Sequence, residues 1–204
     1  MKALLKSFIA ISILSAALVS HASEDFYFGV NIGRVNYDVT LDDLAVLNDG
    51  SITSVSINDR NITISLILGY QLTPNLSFEG GYVDLSNFTV NATSDGSGSG
   101  YAAGPVELKA ATGGLFFDIK GQLPLNREFG LYGKFGVLKW DSKVTIPAST
   151  LSTSSTTKAD DTFFGVGVSY NVRHTILVLN ADYTFYELEG IGVDAFTVGM
   201  QLGF

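Results

Sequence analysis

From Phe26 onward the chain alternates large apolar with small or polar residues, in stretches of strand length separated by turn residues. Successive side chains of a strand point to opposite faces, so a period of two predicts strands with one oily and one wet face. The first stretch is 26–35, with Phe26, Phe28, Val30 and Ile32 opposite Tyr27, Gly29, Asn31 and Gly33. The clearest is 62–72, where Ile62, Ile64, Leu66, Leu68, Tyr70 and Leu72 share a face. Further stretches fall at 76–85, 108–123, 129–140, 162–172 and 175–186. The eighth runs to the end of the chain, with Phe196, Val198, Met200, Leu202 and Phe204 opposite Ala195, Thr197, Gly199, Gln201 and Gly203. Thr73-Pro74-Asn75 and the 124–128 segment carry turn chemistry between strands.

An unpaired strand edge invites aggregation, and pairing the last strand with the first abolishes it. Eight is an even count, as single-chain bacterial barrels require, and each stretch is long enough to cross a bilayer at a tilt. The fold predicted is all-β, an eight-stranded antiparallel up-and-down transmembrane barrel. Short connections follow the second, fourth and sixth strands. Long ones span 36–61, 86–107 and 141–161, with a shorter one at 187–193. Short turns on one rim and long external loops on the other are the asymmetry of outer-membrane barrels. Charges on the oily parity occur only near the external ends, as Arg34, Asp84 and Lys139. Phe26, Phe28, Tyr70, Phe78, Phe129 and Tyr170, with Phe204, fall near the periplasmic ends, where an aromatic girdle belongs. A soluble lipocalin-type barrel would need charges on its wet face. Here that face is mostly Gly, Ser, Thr and Asn.

The N-terminus carries Lys2 and Lys6, an uncharged apolar stretch from Ser7 to Val19, and small residues at Ser20-His21-Ala22. This is the pattern of a cleaved signal peptide, so 1–22 is expected to be a leader and 23–204 the barrel domain. Removing Lys2 and Lys6 takes the formal charge from −8 to −10. That argues against nucleic acid as a partner, since phosphate binding needs clustered basic residues. The chain has no cysteine, which excludes disulfides and thiolate metal sites. Its only histidine after the leader is His174, in a turn on the periplasmic side. No catalytic, metal or cofactor residues are expected.

The wet face carries charges into a lumen that side chains fill in barrels of this size. They are Glu79, Asp118, Lys120, Lys134 and Asp182. Counting from the turns sets Asp118 opposite Lys134 and Glu79 level with Lys120. A buried charge without a partner is costly, so these residues read as a salt-bridged plug, with a switching gate as the alternative.

The segments Gln71–Tyr82 (QLTPNLSFEGGY), Leu131–Asp141 (LYGKFGVLKWD), Phe163–Tyr170 (FFGVGVSY) and Asn180–Tyr183 (NADY) resemble the OmpA-like transmembrane domain family. The resemblance spans nearly the whole mature chain. It implies a bacterial outer-membrane location, lipid and lipopolysaccharide as surroundings, and insertion by the barrel-assembly machinery. It also implies that the terminal Phe204 is an assembly signal. Glu79 and Lys120 match family positions that carry an interior carboxylate and lysine. Asn180 stands where the family has an inward arginine. The family's periplasmic peptidoglycan-binding domain is not expected here, since the sequence ends at Phe204. The function implied is a structural envelope barrel. A narrow passive channel, or an adhesin or receptor contacting a surface ligand through 36–61, 86–107 and 141–161, are the alternatives.

Deleting Phe204 is expected to lower the fraction of chains assembled in the outer membrane, read by heat-modifiable electrophoretic mobility. Undiminished assembly would contradict the role given to that residue.

Overall fold

The computed structural model describes residues 25–39, 50–58, 60–98, 101–147 and 152–204. The expected leader at 1–22 and the 40–49 part of the first long connection lie outside them. Every regular element among the described residues is a strand: β1 Phe26–Asp38, β2 Ile52–Asn58, β3 Arg60–Thr73, β4 Leu76–Ser94, β5 Gly104–Pro124, β6 Phe129–Pro147, β7 Ser152–Asn171, β8 Leu177–Leu188 and β9 Ile191–Gly203.

All pairings are antiparallel. The strands close in the order β1-β3-β4-β5-β6-β7-β8-β9 and back to β1. Closure uses twelve Cα partners, from Tyr27↔Gly203 to Asp38↔Gly192. Beyond that register, the Phe204 amide donates to the Phe26 carbonyl at 2.8 Å. The ninth strand adds no stave. β2 ends one residue before β3 begins, and both pair with β4. It is the outward continuation of the β3 stave, so the barrel has the eight staves expected.

The long external connections are a correction to the sequence reading. Segment 36–61 contains β2, 86–107 contains the end of β4 and the start of β5, and 141–161 contains the ends of β6 and β7. Much of what was expected as loop is barrel wall, including parts of the Ser/Thr-rich runs at 91–100 and 149–157. Threonine favours extended backbone, and each added residue gains a ladder partner, which outweighs the low sequence complexity.

The extended wall keeps its alternation but exchanges its chemistry. On β1 the outward residues are Phe26, Phe28, Val30 and Ile32, then Arg34, Asn36 and Asp38. The inward ones are Tyr27, Gly29, Asn31 and Gly33, then Val35 and Tyr37. On β6, outward Leu131, Phe135 and Val137 give way to Lys139, Asp141 and Lys143, while inward Leu138 and Trp140 follow Tyr132 and Lys134. β4 makes the change through a bulge: its register shifts between Asp84 and Asn87, and Ser86 takes φ 68°. The Ser86 amide donates to Asp84 Oδ1 at 2.7 Å. The extra residue moves the inward positions from odd to even, so Phe88, Val90 and Ala92 face in after Leu85.

The outer surface therefore divides into two bands. The apolar band is solvent-exposed in the isolated chain, as at Leu115 (64%), Phe135 (62%) and Val166 (60%). On β5 it runs from Leu115 to Leu123, a rise of roughly 20 Å at ~3.3 Å per residue and a tilt of about 40°. That approaches the ~25 Å lipid band of outer-membrane barrels. Above it the outer face is charged and polar.

The boundary is testable on one strand. Val166→Lys, in the apolar band, should destabilise the barrel by about 2–4 kcal/mol, and Thr156→Lys, ten residues earlier on the same face, by close to zero. Urea unfolding in lipid vesicles measures both; equal costs would remove the boundary.

Candidate functional site

The interior has two layers of opposite chemistry. The lower layer, inside the apolar band, holds the five charges expected from the sequence. Lys120 Nζ pairs with Glu79 Oε1 at 3.0 Å, both side chains being almost fully buried. It also donates to Gln201 Oε1 at 3.4 Å and sits 4.5 Å from the centre of the Tyr132 ring. Tyr27 Oη donates to the same Glu79 oxygen at 2.5 Å. This centre joins four strands, β1, β4, β5 and β9, before Tyr132 of β6 is added.

The second centre is Asp182. Lys134 Nζ reaches its Oδ1 at 3.0 Å, Thr184 Oγ1 donates to Oδ1 at 3.0 Å, and Tyr132 Oη donates to Oδ2 at 3.1 Å. Asn31 Nδ2 adds a bond to Oδ2 at 3.3 Å, and Asn180 Nδ2 donates to Asn31 Oδ1 at 3.0 Å. Lys134 is thus paired with Asp182, not with Asp118 as counting from the turn suggested. Its Cα partner on β5 is Lys120, and Asp118 lies opposite Gly136. Asp118 is 1% exposed, stands beside Glu79 in register, and neither of its oxygens has a hydrogen-bond partner among the described residues.

A recurrent glycine step sets these pairs. Tyr27 of β1 crosses Gly69 of β3 to reach Glu79 of β4, Gly69 being the register partner of both. Tyr132 of β6 crosses Gly167 of β7 to reach Asp182 of β8, in the same relation. A Cβ on either glycine would collide with the tyrosine ring. Lys134 likewise lies over Gly165, where a Cβ would come within 2.6 Å of its Cε. Each long side chain therefore skips one strand to bond the next.

The upper layer is apolar. Val35, Leu85, Val90, Leu138 and Val193 are at most 1% exposed, and Tyr37, Phe88, Leu108, Trp140, Tyr186 and Leu188 join the same cluster. Phe163 links the layers, edge-on to Phe116 at 6.0 Å and 5.2 Å from Tyr186. Trp140 Nε1 is satisfied by Asp161 Oδ2 at 2.8 Å. The sequence reading missed this layer. Its signal was legible: Val35 and Tyr37 alternate with Arg34, Asn36 and Asp38, and Leu138 and Trp140 with Lys139 and Asp141. That is the wet-outside, oily-inside order of a soluble barrel.

Below the charged layer the lumen opens at the short-turn rim into a cavity of about 880 Å³. The aromatics expected as a girdle gather at this rim. Phe26 lies 4.8 Å from Tyr70 and 6.3 Å from Phe204, Phe129 lies 4.9 Å from Tyr170, and Phe78 stacks on Phe117 at 6.1 Å. Phe28 follows Phe26 on the same outer face. His174 is exposed in its turn with φ 61°. Among the described residues no group of His, Cys, Asp and Glu has the arrangement to hold a metal.

A closed antiparallel sheet with an apolar outer band, and interior charges largely paired with one another, defines a transmembrane β-barrel. The chain belongs to the OmpA-like transmembrane domain family, which matches residues 21–193. The fold is that of bacterial outer-membrane barrels of known structure. Neisserial surface protein A is 13% identical, with 91% of this chain and 100% of that one covered and a TM-score of 0.55. OprG from Pseudomonas aeruginosa is 15% identical, with 91% and 98% covered and a TM-score of 0.54. Ail, the attachment invasion locus protein of Yersinia pestis, solved with the heparin analogue sucrose octasulfate, is 14% identical, with 88% and 99% covered and a TM-score of 0.51. No curated protein matches the chain.

Lys120→Met should cost about 3–5 kcal/mol in urea unfolding, because it strands Glu79 inside the barrel. Adding Glu79→Leu should recover most of that loss. A double variant no more stable than the single one would contradict the pairing.

Proposed function

We propose that this protein is a sealed structural barrel of the outer membrane, exported by the 1–22 leader and inserted by the assembly machinery. It holds lipid with its apolar band and presents a polar wall outside. The observation that carries this reading is the apolar layer above the charged one. An ion leaving the lower lumen would have to pass among Leu85, Val90, Leu138 and Val193, all essentially inaccessible to water. A pore needs a continuous wet path, and rearranging the Glu79–Lys120 pair alone would not create one. The charged centres are then a plug that fixes the relative heights of the staves.

The outer wall supports lipopolysaccharide as a neighbour. Lys139 lies in register with Leu115, the top of the apolar band on β5, and Lys143, Lys158 and Lys109 stand above it on the same three strands. Lys139 pairs with Asp160 at 3.6 Å and Lys109 with Glu107 at 2.9 Å, all of these groups being well exposed. Exposed pairs of this kind are weak, so the lysines remain free to meet lipid phosphates. A surface ligand, the adhesin reading, would meet the external wall formed by β4 to β7.

In planar bilayers the purified barrel should show no steady ohmic current. A stable open level in every insertion would overturn the sealed reading and favour the passive channel.

A further inference from the structure

The cavity at the short-turn rim has a lining that neither the plug nor membrane insertion requires. We infer that it is a binding cup for a short neutral saccharide on the periplasmic side. It contributes five side-chain amides, from Gln71, Gln122, Asn126, Asn171 and Gln201, and no aspartate or glutamate side chain lines it. In a chain with 20 acidic and 12 basic residues, a cavity lined by no Asp or Glu side chain is an unusual neighbourhood.

Each amide offers donors and an acceptor, and each sugar hydroxyl one donor and acceptor lone pairs, so the two can pair in either direction. The charged side chains of the lining are Lys120 and the exposed Arg127. Lys120 at the floor adds little charge, because it is spent on Glu79, Gln201 and the Tyr132 ring. Gln201 uses its Oε1 on that lysine, and its amide NH₂ makes no hydrogen bond with the described residues. Gln122 holds only a long bond, 3.3 Å, to Ser169 Oγ. Asn126 uses its Oδ1 to cap the amides of Glu128 and Phe129, which leaves its NH₂ group for a ligand. Tyr27 and Val178, on the inward faces of β1 and β8, supply apolar surface for the C–H faces of a sugar ring. The cavity volume of about 880 Å³ suits a small-molecule site, which spans roughly 300–1,000 Å³.

The inference rests on the sealed reading in one respect, that the cup has a single mouth. The test uses the full barrel in lipid nanodiscs, free of sugar detergents, titrated with maltose as a neutral disaccharide. The side-chain amide signals of Gln122 and Gln201 should shift and saturate. Gln71→Leu, whose side chain makes no hydrogen bond to the described residues, should weaken that binding severalfold while the strand amide spectrum stays intact. A Gln122→Leu/Gln201→Leu variant, followed through the side-chain amides of Asn126 and Asn171, should lose it. Absence of a saturable shift, or one unchanged in all variants, overturns the inference. So does tighter binding of inorganic phosphate that Arg127→Gln abolishes, since the cup would then select anions. Planar-bilayer current is recorded separately. A conducting barrel that binds maltose sinks only the sealed reading, and a silent barrel that does not bind sinks only the cup.

Discussion

Lipid offers a backbone amide no hydrogen-bond partner, so a chain that crosses it as strands must close on itself. The β1–β9 ladder meets that constraint from Tyr27↔Gly203 to Asp38↔Gly192. Everything else follows from closure. Once eight staves form a ring, one set of side chains must face lipid and the other must fill a narrow lumen. The period of two then leaves each residue a single choice of side. Ile64, Leu66 and Leu68 face out and Thr63, Ser65 and Ile67 face in because no other assignment is compatible with the register.

The same constraint explains the two-layer interior. Where the wall is bathed in lipid, the oily residues are outside and the lumen receives what remains, which is polar and must pair with itself. Where the wall rises into water, the preference reverses and burial of apolar surface again favours the inside. The strands pass through this exchange without changing direction. β1 and β6 achieve it by sequence alone, and β4 by the bulge at Ser86. The inward aromatics Phe116 and Phe163 stand at the junction, which is why Phe116 breaks the wet pattern of its strand. One continuous barrel is thus a membrane protein at one end and a soluble-type barrel at the other.

The outer face, strand count and closure were legible in the sequence, because lipid and a period of two leave an unambiguous trace. Glu79 and Lys120 were also legible as a pair near one level on adjacent staves, although the register sets Lys120 opposite Ser77 and the contact is diagonal. Lys134 was not. Its partner Asp182 is two strands away, reached across Gly165, and a count from one hairpin sees only nearest neighbours. The expected Asp118–Lys134 pair fails for the same reason, and Asp118 has no hydrogen-bonding partner among the described residues. The strand ends were missed because Ser- and Thr-rich runs suggest loop when local composition is read alone. In place, 152–157 has β6 alongside, with Ser152 opposite Pro147 and Thr157 opposite Ser142.

The central claim is that water stops at the layer boundary. Paramagnetic attenuation of NMR signals along β6 tests it, with a lipid-soluble nitroxide and a water-soluble gadolinium chelate applied in turn. Val137 should be attenuated by the lipid probe and Lys139 and Asp141 by the aqueous probe. Leu138, inward between them, should be attenuated by neither. Strong attenuation of Leu138 by the aqueous probe would mean a wet external lumen and would contradict the account.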